Sequence, residues 1–313
     1  MEKCDILFLD PVFKERIWGG QKLTTFGYQL PYEKTGECWA ISAHTHGQSI
    51  IKNGLYKGKT LGEVYQLAPD LFGHMTYEKF PLLTKILDAN DDLSVQVHPN
   101  DDYAKAFEND LGKTECWYVL DAEPHAYIIY GHHAQTKEAF RSMIQQHAFD
   151  QLLIKKEVKK GDFIYVPSGT IHALGKGLLI LETQQSSDTT YRLYDYDRKD
   201  DKGNYRELHI EQSISVSTIP HQEYPVKPRI VDEQEAVLTT FIDNDFFNVH
   251  KLDVNGKCDM TNDSYKLVSI IDGKGFVNGH SVKKGDHFIV TTHSKVINFQ
   301  GHLSMILSST PHN

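Results

Sequence analysis

The chain has 313 residues, 40% of them hydrophobic and 24% charged, with a formal net charge of −9. These proportions describe an ordinary globular protein long enough for two cores, and the acidic balance excludes nucleic acid or an anionic membrane as a general partner. No apolar run reaches the ~20 residues of a membrane span, the start lacks an export signal's apolar stretch, and Cys4, Cys38, Cys116 and Cys258 form no C-x-x-C pair, so a reducing, cytoplasmic setting is expected.

Trp18-Gly19-Gly20 marks a tight turn beside a large ring. His44-Thr45-His46 is an H-x-H pair without a carboxylate and further histidine at useful spacing, so no metal role is assigned to it. Residues 60–67 predict a helix with Thr60 as N-cap and Glu63 at the third helical position. In the run 93–98, alternation of strand side chains puts Ser94, Gln96 and His98 on one face and Leu93, Val95 and Val97 on the other, as for a strand between a core and a cavity. Pro99 ends it. Residues 101–109 suit a second short helix. By the same parity Lys113 and Glu115 project together from a strand that continues through Leu120, setting a cation beside a ligand. His132-His133 follows a glycine in a turn and is read as exposed, and residues 136–144 have the apolar spacing of a third helix.

Residues 161–172 form a G-x5-P-x-G-x2-H string that delivers His172 at the end of a turn between two strands. Gln96, His98, Glu115 and His172 therefore offer two imidazoles, a carboxylate and an amide oxygen, a set that suits Zn²⁺ and, less selectively, Fe²⁺ or Mn²⁺. A position left open for water or substrate marks a catalytic metal, so a metal-assisted enzyme is implied. Pro220, Pro225 and Pro228 read as a linker. Beyond it, residues 265–275 and 282–290 repeat the strand, turn and Gly-Asp rhythm of the first half. Aligned on Gly161 and Gly285, however, the repeat has Thr291, His293 and Val296 where Pro167, Gly169 and His172 stand. The second unit has lost the metal turn, and a structural, covering role is expected of it.

Residues 81–89, 93–100, 113–118, 166–173 and 187–192 together resemble the type I mannose-6-phosphate isomerase family, in the family's order, over most of residues 5–215. The length resembles the short bacterial branch, which lacks a long helical insertion. The resemblance implies a mainly β chain: two cupin-type β-barrels (jelly rolls), with a few short helices inserted in the N-terminal catalytic part, residues 1–220, and a degenerate cupin-like β domain at 229–313. It implies one divalent metal ion per chain, usually zinc, on Gln96, His98, Glu115 and His172. Lys113, Asp188 and Arg192 fall around the reacting carbons, and Ser94 and Lys85 near the sugar phosphate. Gln96 in place of the first histidine of the general cupin H-x-H pattern, with Glu115 so far downstream, is shared by the isomerases.

The implied reaction interconverts mannose 6-phosphate and fructose 6-phosphate, which demands proton removal beside a carbonyl, stabilised enediolate oxygens and return of the proton to the neighbouring carbon. Arg192, permanently charged, binds oxyanion or phosphate and is a poor base. Lys113 with a depressed pKa, or Asp188, would move protons, Asp188 alternatively orienting Arg192 or merely pairing with it at the surface; the C1/C2 base is not assigned. In an acidic protein the phosphate needs local cations, and Lys85, Lys113 and Arg192 are the candidates. Two other readings are an Fe²⁺ cupin oxygenase, against which Gln96 and Lys113 argue, and a non-catalytic sugar-phosphate sensor, against which the full ligand set argues. The oligomeric state is open, with a monomer the simpler expectation.

Overall fold

The computed structural model describes residues 4–74, 76–200 and 202–311. Two antiparallel sheets carry the predicted ligands. One runs Phe163–Val166, Glu115–Ala122, Leu178–Gln185, Leu82–Ala89, Thr35–Ile41, Val12–Gly20, and the other Leu153–Glu157, Tyr127–His132, His172–Leu174, Val95–Val97, Tyr191–Tyr194. They share one apolar cluster, in which Leu87, Trp117, Val119 and Ile180 of the first meet Ile128, Tyr130 and Leu174 of the second. The sandwich is thus of the jelly-roll kind expected of a mainly β chain.

Both faces of the six-stranded sheet are covered, which explains why Leu178–Gln185 and Leu82–Ala89 are buried at every position. Cys116, Tyr118, Leu179 and Leu181 alternate with the inward residues and pack outward against Phe247, Tyr265, Leu267 and Ile289 of the C-terminal part. That part is built on the long strands Asn248–Thr261, Lys266–Val277 and Val296–Ser309, which also enclose a cluster of their own around Val268, Phe288 and Met305. Its sheet draws one margin from the start of the chain, since Ile6–Asp10 pairs with His287–Val290 and then with Ile50–Ile51.

The three predicted helices form at Leu61–Leu67, Asp101–Phe107 and Lys137–Gln145. Each is started by a side chain that accepts from a backbone N–H, from Thr60, Asn100 and Thr136 respectively, and Thr60 and Glu63 make the reciprocal capping box. Thr60→Ala should therefore cost about 1 kcal/mol, read as a lower urea midpoint with an unchanged slope. An unchanged midpoint would show that packing of Leu61 and Val64, not the cap, fixes this helix. Helices Phe149–Leu152 and Ile210–Val216 were not anticipated; Phe149 and Ile214 pack with Phe140 and Ile144 on the outer face of the five-stranded sheet.

Two expectations fail here. Regular pairing begins only at Val95, so Leu93 escapes the alternation and joins Trp18 and Leu87 in the inter-sheet core, while Val95 and Val97 pack outward with the helices. His132 is buried rather than exposed, with its Nε2–H donating to Thr218 O at 3.1 Å; only His133 faces solvent.

Candidate active site

The inward columns of the sandwich change character at one end. Ile180 and Val119 are succeeded by Glu182 and Glu115, so one mouth of an apolar interior is lined with charge. On the six-stranded sheet, Trp39, Lys85, Glu182 and Trp117 form a row across four strands, fixed by the pairs Trp39↔Lys85, Lys85↔Glu182 and Glu182↔Trp117. On the opposing sheet Gln96 pairs with His172 on one side and Arg192 on the other, so ligand and cation stand side by side. Gly169 N donates to His98 O at 2.8 Å, and Gly169 itself has φ +84°, with a Cβ there meeting Thr218 Oγ1 at 2.6 Å. The turn before His172 therefore requires glycine.

Three of the predicted ligands converge. His98 Nε2 lies 3.5 Å from Glu115 Oε2 and His172 Nε2 lies 3.4 Å from Glu115 Oε1, and all three are buried. The Gln96 amide reaches to 3.4 Å from His172 Nε2 and, turned about, presents its oxygen there. The other ring nitrogens are committed: Nδ1–H of His98 donates to Thr189 O at 2.9 Å and that of His172 to Thr170 O at 2.8 Å. Both Nε2 lone pairs are thereby aimed at the carboxylate, the tautomer that ligands to a metal adopt.

This arrangement fits a divalent cation. Both oxygens of Glu115 are buried; Oε2 is answered by Lys113 Nζ at 3.0 Å, while Oε1 has no hydrogen-bond partner among the described residues, which is costly for a buried carboxylate unless further positive charge compensates it. Donor atoms ~2.1 Å from a tetrahedral ion stand roughly 3.4 Å apart, the separation found between Glu115 and both imidazoles. Burial, and next to it Lys113, push His98 down to about 3, and burial lowers His172, so both rings are neutral and ready to ligate. Burial would raise Glu115, but Lys113 and the imidazoles outweigh it and hold the carboxyl well below its usual range.

Lys113 Nζ stands 3.0 Å from Glu115 Oε2 and 3.1 Å from His98 Nε2. Its expected depressed pKa is not found: burial lowers it, but Glu115 and Glu182 outweigh burial and raise it. Above these residues opens a cavity of about 490 Å³, lined among others by Lys85, Ser94, Gln96, Lys113, Asp188 and Arg192. All the predicted substrate-facing residues thus share one space. Arg192 Nε donates to Ser94 Oγ at 3.3 Å and its Nη1 to Glu207 O at 2.7 Å. Asp188 neither orients Arg192 nor pairs with it. It meets the hairpin of residues 43–48 instead, with His46 Nδ1 at 2.9 Å, which brings the H-x-H pair beside a residue of the cavity lining.

Several lining residues were not anticipated. Glu182 is buried, accepts from Trp117 Nε1 at 3.1 Å and has Lys85 Nζ 3.7 Å from Oε1; burial, then Glu115, push it up to about 7. Its signal was present, a glutamate that directly follows the apolar run 178–181 at an inward position of the strand. Arg16 Nε donates to Glu37 Oε1 at 2.8 Å across a hairpin, and Arg206 arrives from a loop; neither has a periodic signature.

A family model described as phosphomannose isomerase type I, catalytic domain, matches residues 6–144, and one described as mannose-6-phosphate isomerase, cupin domain, matches residues 237–310. Mannose-6-phosphate isomerase ManA of Bacillus subtilis (strain 168) is 51% identical to this chain, covering 96% of it and 98% of the relative. Mannose-6-phosphate isomerase of Streptococcus mutans serotype c is likewise 51% identical, over 96% of this chain and 97% of its own. The crystal structure of the mannose 6-phosphate isomerase from Bacillus subtilis superimposes with a TM-score of 0.95 at 46% identity, over 97% of this chain and 99% of that one. Identity of this order along nearly the whole chain, with the same fold, shows that the chain belongs to the type I phosphomannose isomerase family.

Proposed function

We propose that this protein interconverts mannose 6-phosphate and fructose 6-phosphate, moving a proton between C1 and C2 with one zinc ion held by His98, Glu115, His172 and Gln96. The observation that carries the reading is the buried His98–Glu115–His172 group, one of its carboxylate oxygens without a hydrogen-bond partner, beside a cavity that Gln96 and Lys113 line together with further cations. When bound, the ion supplies Lewis acidity for the substrate oxygens. Among the described residues Arg192 is bonded to a hydroxyl and a carbonyl but to no carboxylate, which leaves its charge for the substrate oxyanion or phosphate. Ser94 holds that guanidinium in place, and Lys85 faces the sugar from the opposite sheet. Lys113 steadies Glu115 and adds positive charge beside the reacting carbons, while Asp188, tied to His46, closes the rim.

For the proton, Glu182 joins Lys113 and Asp188 as a candidate. Its Oε1 is buried and without a hydrogen-bond partner, and burial holds its pKa above the usual carboxylate range, which suits a carboxyl that takes and returns a proton. Residues 1–220 form the catalytic part in this reading, and residues 229–313 cover the outer face of the six-stranded sheet. The four free cysteines favour a reducing, cytoplasmic setting. The test is a coupled assay of mannose 6-phosphate conversion with dissolved oxygen monitored in parallel. Fructose 6-phosphate should form with no oxygen consumed; turnover that depends on oxygen, or no turnover by metal-replete protein, would contradict the proposal.

A further inference from the structure

The cations at the cavity are not equally available. Lys85 has Glu182 within 3.7 Å, Lys113 has Glu115 at 3.0 Å, and Arg16 is forked onto Glu37 through Nε and Nη2 at 2.8 and 3.2 Å. Each of these charges is answered by a buried carboxylate. At the Arg192 end the balance differs. Arg192, Arg198 and Arg206 gather around one buried carboxylate, Asp195, which accepts from Arg198 Nη2 at 2.7 Å and from Nε and Nη2 of Arg206, the Nε at 2.7 Å. The other acids nearby are exposed: Asp91, 3.4 Å from Arg198, Glu207, which contributes its backbone oxygen to Arg192, and Glu15, which lines the same cavity. Buried negative charge is therefore sparser here than around Lys85, Lys113 and Arg16. Burial, and after it Arg206, lower the Arg192 pKa, as crowding of like charges should.

The arginines are also held in place. Arg192 N donates to His209 Nδ1 at 3.2 Å and His209 N donates to Arg192 O at 2.8 Å, so residues 206–209 are laced to the strand Tyr191–Tyr194. Asp195 grips Arg206 by Nε and Nη2, and its Nη1, like Arg192 Nη2, has no acceptor among the described residues. Arg192 and Arg206 line the same cavity as Gln96 and Lys113; Arg198 does not. A dianion ending in three acceptor oxygens matches two forks with unfilled donors.

We propose that Arg206, together with Arg192, holds the phosphate of the substrate and sets the preference for the phosphorylated over the free sugar. The assignment rests on the isomerase reading above and moves phosphate selectivity away from Lys85 and Lys113, whose charges are compensated inside the sandwich.

The experiment compares wild-type holoenzyme with Arg206→Gln, Arg206→Lys and Arg198→Gln, measuring kcat and KM on mannose 6-phosphate and on mannose, inhibition by inorganic phosphate, and zinc content. For Arg206→Gln, kcat/KM on mannose 6-phosphate relative to mannose should fall by roughly ten- to a hundredfold, mainly through KM, with phosphate inhibition weakened by a similar factor and zinc retained. Arg206→Lys, which keeps charge and loses the fork, should lie between. Arg198→Gln also removes a guanidinium from Asp195 but one that does not line the cavity, and should leave phosphate inhibition as in wild type. Unchanged selectivity and inhibition in Arg206→Gln overturn the proposal, as do equal losses in Arg198→Gln, which make Asp195 packing the cause. Should Arg206→Gln not fold, Arg206→Lys decides alone: wild-type selectivity and inhibition overturn it. Wild-type protein that turns over both sugars alike removes instead the isomerase reading's phosphorylated substrate, a different failure visible before any variant is made.

Discussion

His172→Ala is expected to release the metal and to lower mannose 6-phosphate turnover by on the order of a thousandfold, the several kcal/mol that a Lewis acid gives a transition state. His172 is 1% exposed, and its Nε2, fixed by the Nδ1–H bond to Thr170 O, faces Glu115 Oε1 at 3.4 Å. With the imidazole gone, His98 and Glu115 remain beside a void, and Glu115 turns fully to Lys113, 3.0 Å away. Elemental analysis of purified wild-type and variant protein reads the metal, and the coupled assay reads turnover. The variant should also lose the shift in melting temperature that added zinc gives the wild type, since an ion stabilises only the state that binds it. Equal metal content in the two proteins would remove His172 from the site.

Arg192→Ala should lose roughly a hundredfold in kcat/KM while keeping its zinc, the loss expected for a charge-assisted contact in a cavity sheltered from water. Its guanidinium touches Ser94 Oγ and Glu207 O and none of the three metal ligands, so its removal leaves His98, Glu115 and His172 in place. Arg192→Lys should recover only part of the loss, because an ammonium cannot reproduce the fork. Turnover by Arg192→Ala equal to that of the wild type would rule out a role on substrate, and simultaneous loss of zinc would place Arg192 in the metal site's support instead.

The grouping of His98, Glu115 and His172 was legible because it depends on the most regular feature of a chain, the period of two in a strand. Lys113 and Glu115 project together as read, and the glycine turn delivers His172 to the strand beside Gln96. The same rule misplaced Leu93, which precedes the first paired residue and so obeys the packing of Trp18 and Leu87 rather than the pleat. Contacts made by loops carry no period. Asp188 and Arg192 sit four apart in sequence, yet Asp188 turns to His46, 142 residues away, and Arg206 reaches the cavity only because Asp195 and His209 fold its loop back. Electrostatics were the least legible. Lys113 beside a predicted ligand suggested a depressed pKa, but the sign is set by Glu115 and after it by Glu182, whose place in the row with Lys85 depends on strand register across the sheet.

The central claim is that one ion held by His98, Glu115 and His172 enables isomerisation, and titrating metal back into chelated protein tests it most directly. Stripped enzyme should not convert mannose 6-phosphate, and activity should climb linearly with added zinc to a plateau at one equivalent per chain, with no recovery in His172→Ala. Full activity in protein shown by elemental analysis to be free of metal, or recovery by His172→Ala at the same single equivalent, would contradict it.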